Sequence, residues 1–247
     1  MDESRLSVII PARNVEKFIA DAIGSIARDV TVPTEIIVVD DGSTDGTAEA
    51  VGNLSFSGLS VRTIKGLQKG IASARNQGLA NISPTSEYVL YLDADDVNPK
   101  GKIPRQLALL EKQPELFAVM GQVLYFDNLD SEHLQPLPDA RTTLIRGIQL
   151  GAGVFRRKIF DILGRFDEDF DHGEDCDFYF RAHEAGLPMH YEDDVGIYYR
   201  RHANNMTNDR PAVRKAYMQA LKKSIDRRKA IPTLRSLDKA VLLQGVK

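Results

Sequence analysis

Three carboxylates, Asp93, Asp95 and Asp96, crowd into four positions directly after the apolar run Tyr88-Val89-Leu90-Tyr91-Leu92. A short apolar run of this kind reads as a buried strand, so the charge collects at a strand end. Carboxylates this close repel and raise one another's pKa unless a cation is shared. A hard divalent ion with oxygen ligands, Mg2+ or Mn2+, is the simplest balance, and such ions keep part of their coordination for phosphate. The spacing therefore points to a metal–diphosphate complex. The plain alternative is a solvated turn, since Asp is common after strands.

Two further acidic pairs stand at element ends. Asp40-Asp41 closes the β-branched run "TEIIVV", and Glu174-Asp175 opens the helical pattern "GEDCDFYFRAHEAG". Acids in a first turn suit the helix dipole, which is the plain reading of the second pair. Asp40 or Asp41 could simply cap the turn that follows. Arg75, in "ARNQG", sits on a helix expected to face the same cleft, where a guanidinium could hold a diphosphate or the acidic strand end. A surface arginine paired with a neighbouring acid is the alternative. Cys176, the single cysteine, reads as a small buried residue, and it excludes an intramolecular disulfide.

The elements that must position these residues follow from periodicity. Residues 6–10 read as a strand ended by Pro11, and Val15, Phe18, Ile19, Ala22, Ile23 and Ile26 fall on one helical stripe. The run before Asp40 is a doubly buried strand, followed by a helix with Ser43 or Thr44 as candidate cap. Residues 61–65 give a third strand, 70–80 a helix and 88–92 the fourth strand. Such alternation means βαβ units on a parallel sheet, with ligands beyond the carboxyl ends of the strands. The second half predicts a helix over 102–112, a strand in "LFAVMGQVLYF", a loop over 127–143, a strand or turn and short helix in "GAGVFRRKIFDIL", and a late strand "VGIYYRRH". Glycines in "GAG" (151–153) allow close backbone approach. Val213, Tyr217, Ala220, Leu221, Ser224 and Ile225 mark a last amphipathic helix.

At 247 residues, 43% hydrophobic and 27% charged, the chain is ordinary for a soluble globular protein. A net charge of −3 argues against a dedicated nucleic-acid binder. No apolar stretch is long enough for a signal peptide core or a membrane span, so the expectation is a cytoplasmic protein, at most peripheral at the inner face of a membrane. Charge is uneven: residues 200–235 hold eleven Lys or Arg against two Asp. The basic helix 211–229 reads first as a solvated face and second as a surface for anionic lipid or a phosphorylated acceptor. Its apolar residues would equally serve a homodimer.

"SVIIPARNVEKFIADAI", "IIVVDDGSTDGT", "ARNQGLA", "YVLYLDADD", "GEDCDFYFRA" and "YRRH" occur in the order seen in family 2 glycosyltransferases, which the chain resembles over about residues 5–205. The resemblance implies an α/β GT-A fold: a glycosyltransferase domain over 1–205, with a nucleotide-binding half (1–100) and an acceptor half (101–205), then a basic helical extension over 206–247. It implies an inverting enzyme that takes a sugar from a nucleotide-sugar donor, UDP-linked by preference, to a glycan or lipid-linked hydroxyl, with Mn2+ or Mg2+ as cofactor. By that similarity Pro11, Ala12 and Arg13 line the base pocket, and Asp41, with Asp40 beside it, binds the base. Arg13 replaces the aromatic that most relatives carry. Asp93, with Ala94, takes the ribose, Asp95 and His202 the metal, Asp175 is the general base and Glu174 orients the acceptor or the base. A sugar-phosphate nucleotidyltransferase would show a Gly-rich phosphate loop where "PARNVEK" stands. A non-catalytic nucleotide-sugar-binding module is the other alternative.

Overall fold

The computed structural model describes residues 4–237. The chain runs β1 (Leu6–Ala12), α1 (Ile19–Ala27), β2 (Thr34–Asp40), α2 (Thr47–Gly52), β3 (Leu59–Lys65), α3 (Ile71–Ala80), β4 (Tyr88–Tyr91), α4 (Lys102–Lys112) and β5 (Ala118–Phe126). A two-residue hairpin, β6 (Leu129–Asp130) with β7 (Gln135–Pro136), and β8 (Thr143–Ile145) follow. Then come β9 (Gly153–Arg156), α5 (Lys158–Leu163), α6 (Glu174–Glu184), β10 (Met189–Arg200) and α7 (Arg210–Ala230).

The main sheet has the order β10-β5-β9-β4-β1-β2-β3, with β8 added along β5. β1, β2 and β4 are apolar along nearly their whole length because both faces are covered. Pairing is parallel among β3, β2, β1 and β4, as the strand–helix alternation requires. β9 breaks the pattern: it runs antiparallel to both β4 and β5, so the sheet is mostly and not wholly parallel.

Register fixes where the acids emerge. Ala12 pairs with Asp40, Ile9 pairs with Tyr91, and the Leu92 amide donates to Ile9 O at 3.0 Å. The ends of β1, β2 and β4 therefore lie side by side at one sheet edge. The late strand starts at Met189, before the expected Val195, and bulges between Tyr191 and Ile197 as it pairs with β5. Gly121 and Gly196 let the two strands close there, since a Cβ on Gly121 would lie 2.6 Å from Gly196 Cα.

Two local expectations change. Neither Ser43 nor Thr44 caps α2: the Asp45 carboxylate takes the Thr47 amide at 3.1 Å, while Ser43 Oγ is occupied by the Asn14 amide. The 127–143 loop contains the β6–β7 hairpin.

α7 is capped by the Asp209 carboxylate on the Ala212 amide at 3.0 Å, with Pro211 in its first turn. It packs on α6 through the small residues Ala216, Ala220 and Ser224, so the buried stripe is narrower than its apolar positions suggest, and Ile225 faces solvent. Ala220 meets Phe170 and Phe180, and Arg227 donates to Asp177 at 2.7 Å and Glu184 at 2.8 Å. Lys223 pairs with Asp167. Part of the basic charge of this helix is thus spent on the domain beneath it. The expected extension over 206–247 runs past Leu237, outside the described residues. Among the described residues no helix is long and apolar enough to cross a membrane.

Candidate active site

The loop after β4 is held from three sides. Asp29, buried just past α1, accepts the Ile103 amide at 2.9 Å and the Asn98 side chain at 3.0 Å, and also the Gly101 amide. This serves the free amides at the N-terminus of α4 from another element. Ser25 Oγ takes the Asn98 amide at 2.9 Å. Val97 and Tyr198 exchange two backbone hydrogen bonds of 3.0 Å, which stitches the loop to the end of β10.

On that platform each strand-end acid meets its own partner. Arg75, 2% exposed, reaches Asp93 Oδ1 at 2.7 Å with one guanidinium nitrogen and Glu174 with another. It is a buried bridge between β4 and α6, and the reading of Arg75 as a surface arginine does not hold. His202 Nε2 lies 2.9 Å from Asp95 Oδ2, and the Asn205 amide is 3.4 Å from the same oxygen. The Asn204 amide donates to His202 Nδ1 at 3.2 Å, a tautomer that leaves Nε2–H to donate to Asp95. The imidazole stacks on Phe18 at 4.7 Å. Asp96 is buried and accepts the Arg200 amide at 3.0 Å, and one of its oxygens has no partner among the described residues. Burial, then Asp95 and Asp93, pushes its carboxyl well above the usual range. Burial and Asp93 also raise Asp95, against the pull of His202.

Glu174 and Asp175 open α6 after Gly173, whose φ of +80° glycine tolerates and whose Cα side faces Ala216 of α7 closely. Glu174 is buried against Arg75; burial pushes it up to about 7 while the guanidinium opposes. Asp175 is half-buried and has no ion-pair partner among the described residues; its Oδ1 accepts the Cys176 amide at 2.7 Å. Burial raises its carboxyl too, with Arg75 opposing. The Cys176 thiol is pushed well above its ordinary value, first by burial and then by Asp175. Glu174 is thus tied through Arg75 to Asp93, while Asp175 beside it has no ion pair among the described residues.

On the first-strand side both acids accept backbone amides. Asp40 caps its own turn through the Ser43 amide at 2.8 Å. Asp41 is buried and holds the loop before α3, taking the Gln68 amide at 2.7 Å and the Gly70 amide at 2.9 Å. Its own amide donates to Ala12 O at 2.8 Å, which sets Pro11 and buried Ala12 beside it, while Arg13 is exposed. Ala94 is buried between the acids. Gly151 and Gly153 are crowded by Ile197 and Met120, so the protein's own packing requires them. Among the described residues, no three or more His, Cys, Asp and Glu gather in a metal-holding group.

Sequence reasoning missed Asn205, Gln149 and Phe18. Gln149 reaches Asp93 Oδ2 at 3.5 Å. Asn205 lies three residues past His202 and was within reach of the "YRRH" motif, whereas Phe18 reads as part of the α1 core stripe.

The sequence profile of "Glycosyl transferase family 2" matches residues 7–204. An uncharacterized glycosyltransferase of Rickettsia conorii is 30% identical over 211 residues, covering 80% of this chain and 34% of that protein. The Escherichia coli UDP-Glc:alpha-D-GlcNAc-diphosphoundecaprenol beta-1,3-glucosyltransferase WfgD is 32% identical over 112 residues, 45% of this chain and 43% of WfgD. This chain thus spans well under two thirds of either relative. The fold matches that of Staphylococcus aureus TarS 1–349 in complex with UDP-GlcNAc, with a TM-score of 0.69, 18% identity, and coverage of 92% of this chain and 73% of TarS 1–349.

Arg75→Met leaves Asp93 and Glu174 without their cation and is expected to cost about 3–5 kcal/mol near pH 8. Glu174, already raised by burial and no longer opposed by the guanidinium, then titrates higher in the folded than in the unfolded chain, so the native state binds more protons and the deficit shrinks as pH falls toward 5. Urea unfolding of both proteins at the two pH values checks this; a deficit independent of pH would contradict the bridge.

Proposed function

The chain belongs to glycosyl transferase family 2, and from that premise we propose that it moves a sugar from a UDP-linked donor to a hydroxyl acceptor with inversion at the sugar carbon. The observation that carries this reading is Arg75. It joins Asp93 at the donor end of β4 to Glu174 on α6 and leaves Asp175, the next residue, with no ion pair among the described residues. A carboxylate raised by burial and held by no ion pair among the described residues suits a general base.

In the proposed reaction the acceptor hydroxyl gives its proton to Asp175 as its oxygen forms a bond to the sugar anomeric carbon. The bond from that carbon to the diphosphate oxygen breaks on the opposite face, and the nucleoside diphosphate leaves with the electron pair. Asp93 takes the ribose, Pro11, Ala12 and Arg13 border the base, and Glu174, fixed by Arg75, holds Asp175 in place. Asp41 acts on the base pocket by holding the loop before α3.

Asp95 and His202 are a carboxylate and an imidazole already within 2.9 Å. To hold Mn2+ or Mg2+ the pair would exchange this hydrogen bond for the ion, with His202 losing its proton from Nε2 and phosphate and water filling the other positions. When bound, the ion would neutralise the leaving diphosphate. A UDP donor accords with the UDP-Glc in the name of WfgD and the UDP-GlcNAc bound to TarS.

The outward face of α7 shows Arg210, Arg214, Lys215, Lys222 and Lys229 around exposed Met218 and Ile225, a surface suited to anionic lipid that carries an acceptor. Sedimentation with anionic vesicles is expected to fall as salt is raised, and to be absent with neutral vesicles. Equal binding to both would remove the lipid contact.

Asp175→Asn is expected to lower kcat by about 10²–10⁴-fold while UDP affinity stays as in the wild type. Steady-state kinetics with calorimetry reads both, and unchanged turnover would take the base role away from Asp175.

A further inference from the structure

Lys102 has no solvent-exposed surface, and the reaction proposed above makes no use of it. The carboxylates around it are already engaged. Asp29 accepts the α4 backbone, and Glu192 on β10 is held by Arg105 at 2.8 and 2.9 Å and by Gln106 at 2.7 Å. The Lys102 ammonium donates instead to a backbone carbonyl, Gly151 O. One helical turn on, Gln106, also buried, donates to the next carbonyl, Ala152 O, at 3.1 Å. Two polar side chains on one face of α4 thus grip consecutive carbonyls of the 3-10 turn Leu150–Ala152.

That turn is wedged between strand ends. A Cβ on Gly151 would lie 2.4 Å from Ile197 Cδ1, and one on Gly196 would lie 2.3 Å from Ala152 O. The residue before the turn is Gln149, whose amide reaches Asp93 Oδ2 while Arg75 takes Asp93 Oδ1. Both oxygens of the strand-end carboxylate are therefore set from the protein side, one by Arg75 and one by the gripped turn.

A buried ammonium with a carbonyl as partner is an expensive way to fill space, since a methionine would occupy it with no charge to desolvate. The burial draws the Lys102 amine down to about 7, with Asp29 and Glu192 opposing and Arg105 adding to the lowering. In the unfolded chain the amine stays protonated to much higher pH, so between about 7 and 10 the native state binds fewer protons. Charging Lys102 therefore works against the fold, and its worth lies elsewhere.

The geometry assigns Lys102 and Gln106 a positioning role: through the carbonyls of Gly151 and Ala152 they hold the turn that sets Gln149 against Asp93, and so orient the carboxylate that receives the donor. This rests on the donor reading given above. The test compares full-length wild type, Lys102→Met and Gln106→Met by amide hydrogen exchange over residues 149–153, by thermal unfolding, and by calorimetric titration with UDP.

Both variants are expected to exchange faster across the turn and to bind UDP about tenfold more weakly, with the melting temperature of Lys102→Met no lower than that of the wild type. Faster exchange with unchanged UDP affinity would make the grip purely structural and overturn the role. Weaker UDP binding with unchanged exchange would also overturn it, because the loss would not run through the turn. A wild type that binds no UDP would sink the donor reading separately, and the exchange data would still decide whether the grip exists.

Discussion

The site depends on one buried guanidinium. Arg75 stands between Asp93 on β4 and Glu174 on α6, two carboxylates separated by 81 positions in sequence that would otherwise carry like charge into one poorly solvated cleft. A cation fixed there makes the approach of the two elements favourable, and the planar fork of arginine reaches both acids at once. The neighbouring acids are handled separately. Asp95 meets His202, and Asp96, whose carboxyl burial raises, accepts the Arg200 amide. Charge crowding at the strand end is thereby resolved residue by residue within the chain.

The elements around Arg75 are placed by equally specific contacts. Asp29 and Ser25, at the end of α1, fix the loop that carries the acids. α7 closes on α6 through a stripe of small residues and the Arg227 pairs with Asp177 and Glu184, which seats the first turn of α6 where Glu174 meets Arg75. Among the described residues the basic helix α7 is thus structural on one face and exposed on the other. The two faces answer to different physics: buried ion pairs that resist salt, and exposed charge that salt screens.

Much of this was legible before any coordinates. The parallel core strands are continuous apolar runs, and such runs announce themselves. The acids that end them mark the cleft, because parallel strands bring their carboxyl ends to one edge. What stayed hidden was long-range pairing. Four residues of β9 carry no signal of direction, so the antiparallel insertion could not be read. Asp29 looks like a solvated acid after a helix, and its partners lie some 70 positions on. Lys102 and Gln106 are polar residues beside the apolar stripe of Ile103, Leu107 and Leu110, and nothing local says that a turn near residue 151 will cover them. Asp41 reads as a ligand by its position, and nothing local says that its carboxylate also takes the amides of a loop 27 residues later.

The most direct measurement is calorimetric titration of UDP, GDP, CDP and dTDP into the wild-type chain and Asp95→Asn, each with and without Mn2+. A donor cleft at the ends of β1, β2 and β4 should bind UDP in preference to the other nucleotides, tighten with Mn2+, and lose that metal-dependent gain in Asp95→Asn. Absence of binding by any nucleotide, with or without metal, would contradict the central claim. The strand-end acids and their buried arginine would then be a structural ion-pair cluster alone.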